Sequence, residues 1–157
     1  MKDTVILGLG SIIRGDDSVG IRVARLLKER FPKHLDIDIK ESDEAGINLL
    51  DALCGYRQAV IIDSIITEKN TEGTIHRIGT KELFMCRHYF SSHNIGLGTV
   101  IELARQMGIA FPKDIVVFAV EIKNSCSFSE GASKRVEEAV YRVANLIEKE
   151  FILSVAA

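Results

Sequence analysis

Strand-length apolar runs alternate with amphipathic segments of helical length along most of the chain. Thr4–Leu9 and Ile115–Val120 are nearly continuous apolar runs, a pattern typical of strands that are buried on both faces. Ser18–Arg30 and Ser133–Phe151 place apolar residues three and four positions apart, as in a helix with one buried face. This alternation of strands and helices predicts a three-layer α/β/α sandwich, with helices on both faces of one sheet.

Shorter segments complete the predicted order of elements. We expect further strands over Asp36–Lys40, Ala59–Ile62 and Thr74–Ile78, helices over Gly46–Leu53 and Ile95–Met107, and an irregular segment with a turn of helix over Thr80–Asn94. The chain has 157 residues and shows no repeat or interdomain linker. We therefore expect one domain that spans residues 1–157.

Two adjacent carboxylates, Asp16 and Asp17, follow a glycine turn after the first predicted strand. A glycine turn at this place usually presents backbone N–H groups to a phosphate at a helix N-terminus. Two carboxylates would repel a phosphate, and they favour a metal ion or another positively charged group. Helix capping is the simpler interpretation, and it explains one of the two carboxylates better than both.

Asp63 and His93 are the other candidates for chemistry. Asp63 directly follows a predicted buried strand, where a carboxylate is costly unless it is paired or bound to metal. If the first and third strands are neighbours, Asp17 and Asp63 meet at the carboxyl ends of the strands, where ligands bind in such sheets. His93 precedes a predicted helix, and taken alone it is best explained as part of a capping region. Two carboxylates and an imidazole suit a divalent transition metal, or equally general acid–base catalysis without one.

Several classes of function are disfavoured by the composition and by the absence of motifs. The net charge of -2 gives no argument for binding nucleic acid or an anionic membrane. The N-terminal residues do not resemble a signal peptide, and three scattered cysteines are typical of a reducing compartment. We therefore expect a cytoplasmic protein. Signatures of serine hydrolases, P-loop proteins and zinc proteases are absent, and the other histidines, His34, His76 and His88, are expected to face solvent.

Three ordered motifs resemble those of the [NiFe]-hydrogenase maturation endopeptidases. That family opens with a strand followed by G-x-G-N and D-[DE]-x-x-G, then has an Asp that ends an apolar strand, and then a His followed closely by Gly-Leu. The matching residues are Gly8, Gly10, Asp16, Asp17 and Gly20 in the first motif, Asp63 in the second, and His93, Gly96 and Leu97 in the third. The resemblance extends over almost the whole chain.

The resemblance implies both a fold and an activity. The fold is a five-stranded, mostly parallel sheet of order 2-1-3-5-4 with the fourth strand antiparallel, as in phosphorylase/hydrolase-like proteins. The activity is the removal of a C-terminal extension from the hydrogenase large-subunit precursor after nickel insertion. Asp17, Asp63 and His93 would bind the substrate-borne nickel as a recognition element, and they are also the catalytic candidates. Asp16 would then cap or stabilise the start of the helix that follows it, worth roughly 1 kcal/mol, and the isolated protein would hold no metal of its own.

The chain differs from the family pattern in two loops. Ser11 stands where the family has Asn, and Glu41–Gly46 replaces the motif D-G-G-T-x-G. We take Glu41 and Asp43 in the second loop as candidate substrate-binding residues. This altered loop keeps open an alternative, a non-cleaving binding module or chaperone for the metallated large subunit. A nucleotide- or nucleoside-handling α/β protein is a further alternative, against which the acid pair argues.

Overall fold

The computed structural model describes residues 3–33, 36–44, 46–85, 96–123 and 131–154. The strands are β1 (Thr4–Leu9), β2 (Ile37–Ser42), β3 (Gln58–Ile65), β4 (Ile75–Gly79) and β5 (Asp114–Glu121). The α-helices are α1 (Val19–Arg30), α2 (Leu49–Leu53), α3 (Thr80–Met85), α4 (Leu97–Gln106) and α5 (Lys134–Ile147). Short 3-10 turns cover Gly15–Ser18 and Gly46–Asn48, and a π-helical turn over Glu148–Ile152 follows α5.

The five strands form one sheet of order β2-β1-β3-β5-β4, which confirms the predicted topology. β1 pairs in parallel with β2 and β3, β3 pairs in parallel with β5, and β4 is antiparallel to β5. The carboxyl ends of β1 and β3 are therefore adjacent. In a parallel sheet this edge is where ligand-binding loops gather.

Two hydrophobic clusters lie on opposite faces of the sheet and define the outer layers. α1 and α5 pack on one face, where Val23 of α1 and Val143 of α5 belong to the same cluster as Val60 of β3. α2, α3 and α4 cover the other face, where Leu53 and Val100 belong to the second cluster. The three-layer prediction is thus confirmed, and it follows from strands whose alternate side chains are apolar on both faces.

Several predicted boundaries differ from the structure. β3 continues past the predicted end at residue 62 and includes Asp63 and Ser64, because its pairing with β5 extends to Ile65. The turn of helix expected within Thr80–Asn94 is α3, which covers Thr80–Met85. The last helix leaves α-helical geometry after Ile147, although Phe151 still packs edge-to-face on Phe118 at a centroid distance of 6.3 Å.

Candidate functional site

The start of α1 packs closely against the sheet because two glycines meet there. A Cβ on Gly20 would lie 2.2 Å from the carbonyl oxygen of Leu9 and 2.3 Å from that of Ile62. A Cβ on Gly8 would lie 2.2 Å from the carbonyl oxygen of Gly20. These neighbours are backbone atoms that cannot rotate away, so both positions require glycine. The close packing brings the turn Gly15–Ser18 against the end of β3.

Asp17 and Asp63 come together at this edge of the sheet. Asp17 is buried, with 4% of its surface exposed, and its Oδ1 accepts a 2.7 Å hydrogen bond from the Ser64 hydroxyl. The Oδ1 of Asp63 accepts the backbone N–H of Ser64 at 2.8 Å. Ser64 therefore bridges the two carboxyl groups, as expected if β1 and β3 were neighbours.

The environment of Asp63 disfavours its negative charge. Desolvation raises the pKa of Asp63 to about 7; the hydrogen bond from the Ser64 N–H opposes this rise, and the charge of Asp17 adds to it. Asp63 is only partly buried as a residue, so a ligand can still approach it. Two carboxyl groups of which one is half protonated near neutral pH form a site that favours a cation. A divalent metal or a reacting group that exchanges a proton suits this chemistry.

Asp16 was expected to cap the helix that follows it, and this expectation is wrong. Neither the 3-10 turn nor α1 has a side-chain cap. Asp16 instead accepts a 2.6 Å hydrogen bond from the backbone N–H of Ser133, the residue that precedes α5. It therefore stabilises the start of the last helix and not the start of its own.

Glu41 and Asp43 lie beside a groove, and they differ in their ion pairs and exposure. Glu41 forms 2.9 Å ion pairs with Arg25 and Lys28 of α1. Desolvation alone would raise the pKa of Glu41, but the hydrogen bonds and charges of Lys28 and Arg25 outweigh it and lower the pKa. Asp43 is exposed. Both carboxylates line a groove of about 350 Å³ together with Ser11.

A second groove is larger but lies away from the acid pair. It has a volume of about 610 Å³ and runs between α1 and α5, where Arg22 and Tyr141 are among the lining residues. The exposed side chains of Ile12 and Ile13 contribute to both grooves. Because Asp17 and Asp63 line neither groove, volume alone does not identify the chemical site.

His93, the third predicted site residue, lies outside the described residues, as do His34 and His88. Within the described ranges, no three His, Cys, Asp or Glu side chains are grouped so that they could hold a metal ion. In the same ranges, no helix is long and apolar enough to cross a membrane.

His76 was expected to face solvent, and it is partly exposed, with 26% of its side-chain surface accessible. Its Nε2 lies 3.1 Å from Oε2 of Glu121, a carboxylate with only 2% of its surface exposed. Glu121 was not among the predicted site residues. Glu121 directly follows the predicted apolar strand Ile115–Val120, just as Asp63 follows its strand. The same pattern could therefore have indicated Glu121 as a candidate.

Known proteins with similar sequences and structures point to one family. A family model for hydrogenase maturation protease matches residues 21–150. The hydrogenase 2 maturation protease of Escherichia coli is 28% identical over 117 residues, which are 74% of this chain and 71% of that protein. The structure of hydrogenase maturating endopeptidase HybD from E. coli superposes with a TM-score of 0.74 and 25% identity, over 95% of this chain and 94% of the other.

An archaeal structure extends the comparison. The [NiFe] hydrogenase maturation protease HycI of Thermococcus kodakarensis matches with a TM-score of 0.66 and 26% identity, over 94% of this chain and 91% of the other. The family assignment removes the support for a nucleotide-handling protein. Because the match covers most of the chain and the relatives are proteases and endopeptidases, this chain is a hydrolase that belongs to the hydrogenase maturation protease family.

Proposed function

We propose that this chain removes the C-terminal extension of a [NiFe]-hydrogenase large-subunit precursor, with the nickel in that precursor as the recognition element. The observation that carries the proposal is the meeting of Asp17 and Asp63 around Ser64. Family membership supplies the class of reaction, and the acid pair supplies the preference for a cation. We take residues 1–157 as one protease domain that works in the cytoplasm without nucleic acid or membrane.

In this proposal Asp17 and Asp63 supply two oxygen ligands to the substrate-borne nickel, and His93 supplies an imidazole nitrogen. Carboxylate and imidazole are suitable ligands for a divalent transition metal. The nickel would offset the desolvation and the charge of Asp17 that raise the pKa of Asp63, because a nearby positive charge favours the ionised carboxylate. The same three residues remain our candidates for the hydrolytic chemistry, since carboxyl and imidazole groups are the usual general acids and bases.

We further propose that the groove beside Glu41 and Asp43 receives a segment of the precursor. The ion pairs of Glu41 with Arg25 and Lys28 occupy its carboxylate and hold it in place. The exposed carboxylate of Asp43 is therefore the one we assign to direct contact with the substrate. The neighbouring exposed side chains of Ile12 and Ile13 offer apolar contact area at the rim of the same groove.

The test is incubation of the purified protein with a large-subunit precursor encoded in the same genome, prepared once with nickel and once without. Mass spectrometry of the precursor is expected to show loss of the C-terminal extension only in the nickel-loaded preparation. A folded protein that leaves the nickel-loaded precursor intact, or that cuts both preparations equally, contradicts the proposal. Stable binding of the nickel-loaded precursor without cleavage would support the alternative of a binding module or chaperone.

A further inference from the structure

Glu121 is a buried carboxylate whose two oxygen atoms are both engaged. Its Oε1 accepts the backbone N–H of Thr67 at 2.7 Å, and the Thr67 hydroxyl lies 2.9 Å from both Oε1 and Oε2. Its Oε2 meets Nε2 of His76 at 3.1 Å. A buried carboxylate is tolerated only when its hydrogen bonds are satisfied in this way. Desolvation alone would raise the pKa of Glu121, but these partners outweigh it and lower the pKa.

The sheet register places Glu121 near Asp63. In the pairing of β3 with β5, Asp63 is opposite Ala119 and Ile65 is opposite Glu121. Because side chains alternate between the two faces of a strand, Asp63 and Glu121 belong to the same face. Ile65 and Ala119 both lie in the cluster on that face, which agrees with this assignment. Glu121 is thus one diagonal position from Asp63.

Glu121 also holds both ends of the connection between β3 and β4. Its side chain binds Thr67, two residues after the end of β3. Its backbone carbonyl accepts the N–H of Gly73 at 2.8 Å, and its own N–H donates to the carbonyl of Thr74 at 2.8 Å. The next residue, Ile122, donates its N–H to the carbonyl of Ile65 at 2.9 Å. The strand end that carries Asp63 is therefore fastened to the end of β5.

We propose that Glu121 is a positioning residue that keeps the end of β3 in register with the turn Gly15–Ser18. It acts through its hydrogen bonds with Thr67, and His76 is the remaining partner of its carboxylate. This inference rests on the proposed function. Ser64 reaches Asp17 from one side of the strand end, and Glu121 restrains the chain three residues later through Thr67. Loss of the restraint lets the strand end shift, which separates Asp63 and Ser64 from Asp17 without removing any group that touches the substrate.

The test uses Thr67→Val, which removes the hydroxyl but keeps the N–H and the side-chain shape, with Glu121→Gln as a second variant. Thr67→Ser keeps the hydroxyl and is the conservative rescue. Ile115→Val, at the opposite end of β5, serves as a control, and all variants are assayed well below their melting temperatures. Processing of a nickel-loaded precursor and the NMR signal of the Ser64 amide are both measured.

Thr67→Val and Glu121→Gln are expected to lower kcat roughly tenfold with KM nearly unchanged, as for groups that orient other site residues. The NMR signal of the Ser64 amide is expected to shift in both variants. In Thr67→Ser, both kcat and the Ser64 signal are expected to return toward their wild-type values. A kcat within about twofold of the Ile115→Val control overturns the positioning role. A wild-type protein that cuts no precursor overturns the proposed function instead; the Ser64 signal then decides the positioning inference, and an unmoved signal overturns it.

Discussion

Asp16 accepts a 2.6 Å hydrogen bond from the backbone N–H of Ser133, 117 residues further along the chain. Ser133 precedes α5, so Asp16 satisfies an N–H group at a helix start, where the helix provides no partner of its own. The Ser133 hydroxyl donates to Glu72 in the β3–β4 connection at 2.9 Å. Two adjacent aspartates therefore have different roles: Asp16 holds the last helix, and Asp17 lies beside Asp63.

Replacement of Asp16 by Ala is expected to lower the free energy of unfolding by about 1 kcal/mol, the typical loss of a helix-capping side chain. Urea denaturation followed by circular dichroism measures this. Asp16→Asn, which keeps an acceptor oxygen, is the matched control and is expected to lose less. If Asp16→Ala is as stable as the wild type, the contact with Ser133 does not contribute to stability.

Asp63→Asn is expected to stabilise the protein at pH 8 but not at pH 4. The pKa of Asp63 is raised from its ordinary value of 3.8 to about 7 in the folded state. Between these values the unfolded chain releases its proton more readily, so the contribution of Asp63 to stability falls as the pH rises. The difference between these two pKa values corresponds to roughly 4 kcal/mol of unfolding free energy at most. We expect Asp63→Asn to gain less than this because Asp63 is partly exposed.

The measurement is the difference in unfolding free energy between Asp63→Asn and wild type across pH 4 to pH 8. Glu41 and Glu121 have lowered pKa values, so their contributions to stability are lost as the pH falls. Both proteins contain these residues, and the comparison at each pH therefore cancels their contributions. A difference that does not change with pH would contradict the raised pKa of Asp63.

Gly20→Ala is expected to destabilise the fold by about 3 kcal/mol or more, because overpacking against rigid backbone forces α1 away from the sheet. The new Cβ would lie 2.2 Å from the carbonyl oxygen of Leu9. Gly98→Ala in α4 is the control: its Cβ would lie 3.4 Å from the carbonyl oxygen of Leu83, and alanine gains up to about 1 kcal/mol over glycine within a helix. Thermal denaturation measures the stability of both variants. Equal stability of Gly20→Ala and Gly98→Ala would contradict the close packing of α1 on the sheet.

Asp43→Asn is expected to raise KM for the precursor several-fold, whereas Glu41→Gln is expected to lower stability by no more than about 1 kcal/mol. The reason is that Glu41 is already paired with Arg25 and Lys28, while Asp43 is exposed in the groove. Steady-state processing rates and denaturation curves of the two variants provide the comparison. An unchanged KM in Asp43→Asn would remove Asp43 from the substrate site.

Much of the fold could be predicted because its strands are apolar runs and its helices carry regular apolar stripes. The length of β3 could not be predicted in this way, since Asp63 and Ser64 interrupt the apolar run. They remain in the strand because β5 pairs with it as far as Ile65. Pairing of this kind depends on a strand some fifty residues away and is not visible in local patterning.

The meeting of Asp17 and Asp63 could be predicted, because one carboxylate follows a glycine turn and the other follows a buried strand. The partners of Asp16 and Glu121 were not predictable, because both depend on contacts between elements distant in the chain. His76 lies on a strand with alternating polar residues, which made a solvent-facing position the natural expectation. Only the antiparallel register with β5 turns it toward Glu121.

The most direct test of the acidic site is the rate at which wild type, Asp17→Asn, Asp63→Asn and Asp16→Asn process a nickel-loaded large-subunit precursor, followed by mass spectrometry of the precursor's C-terminus. The Asp17 and Asp63 variants are expected to lose roughly a hundredfold in rate while remaining folded, as when groups that bind or orient a metal are removed. Asp16→Asn is expected to retain nearly the wild-type rate. Wild-type processing by Asp17→Asn or Asp63→Asn, or loss of processing in Asp16→Asn alone, would contradict the assignment of the site.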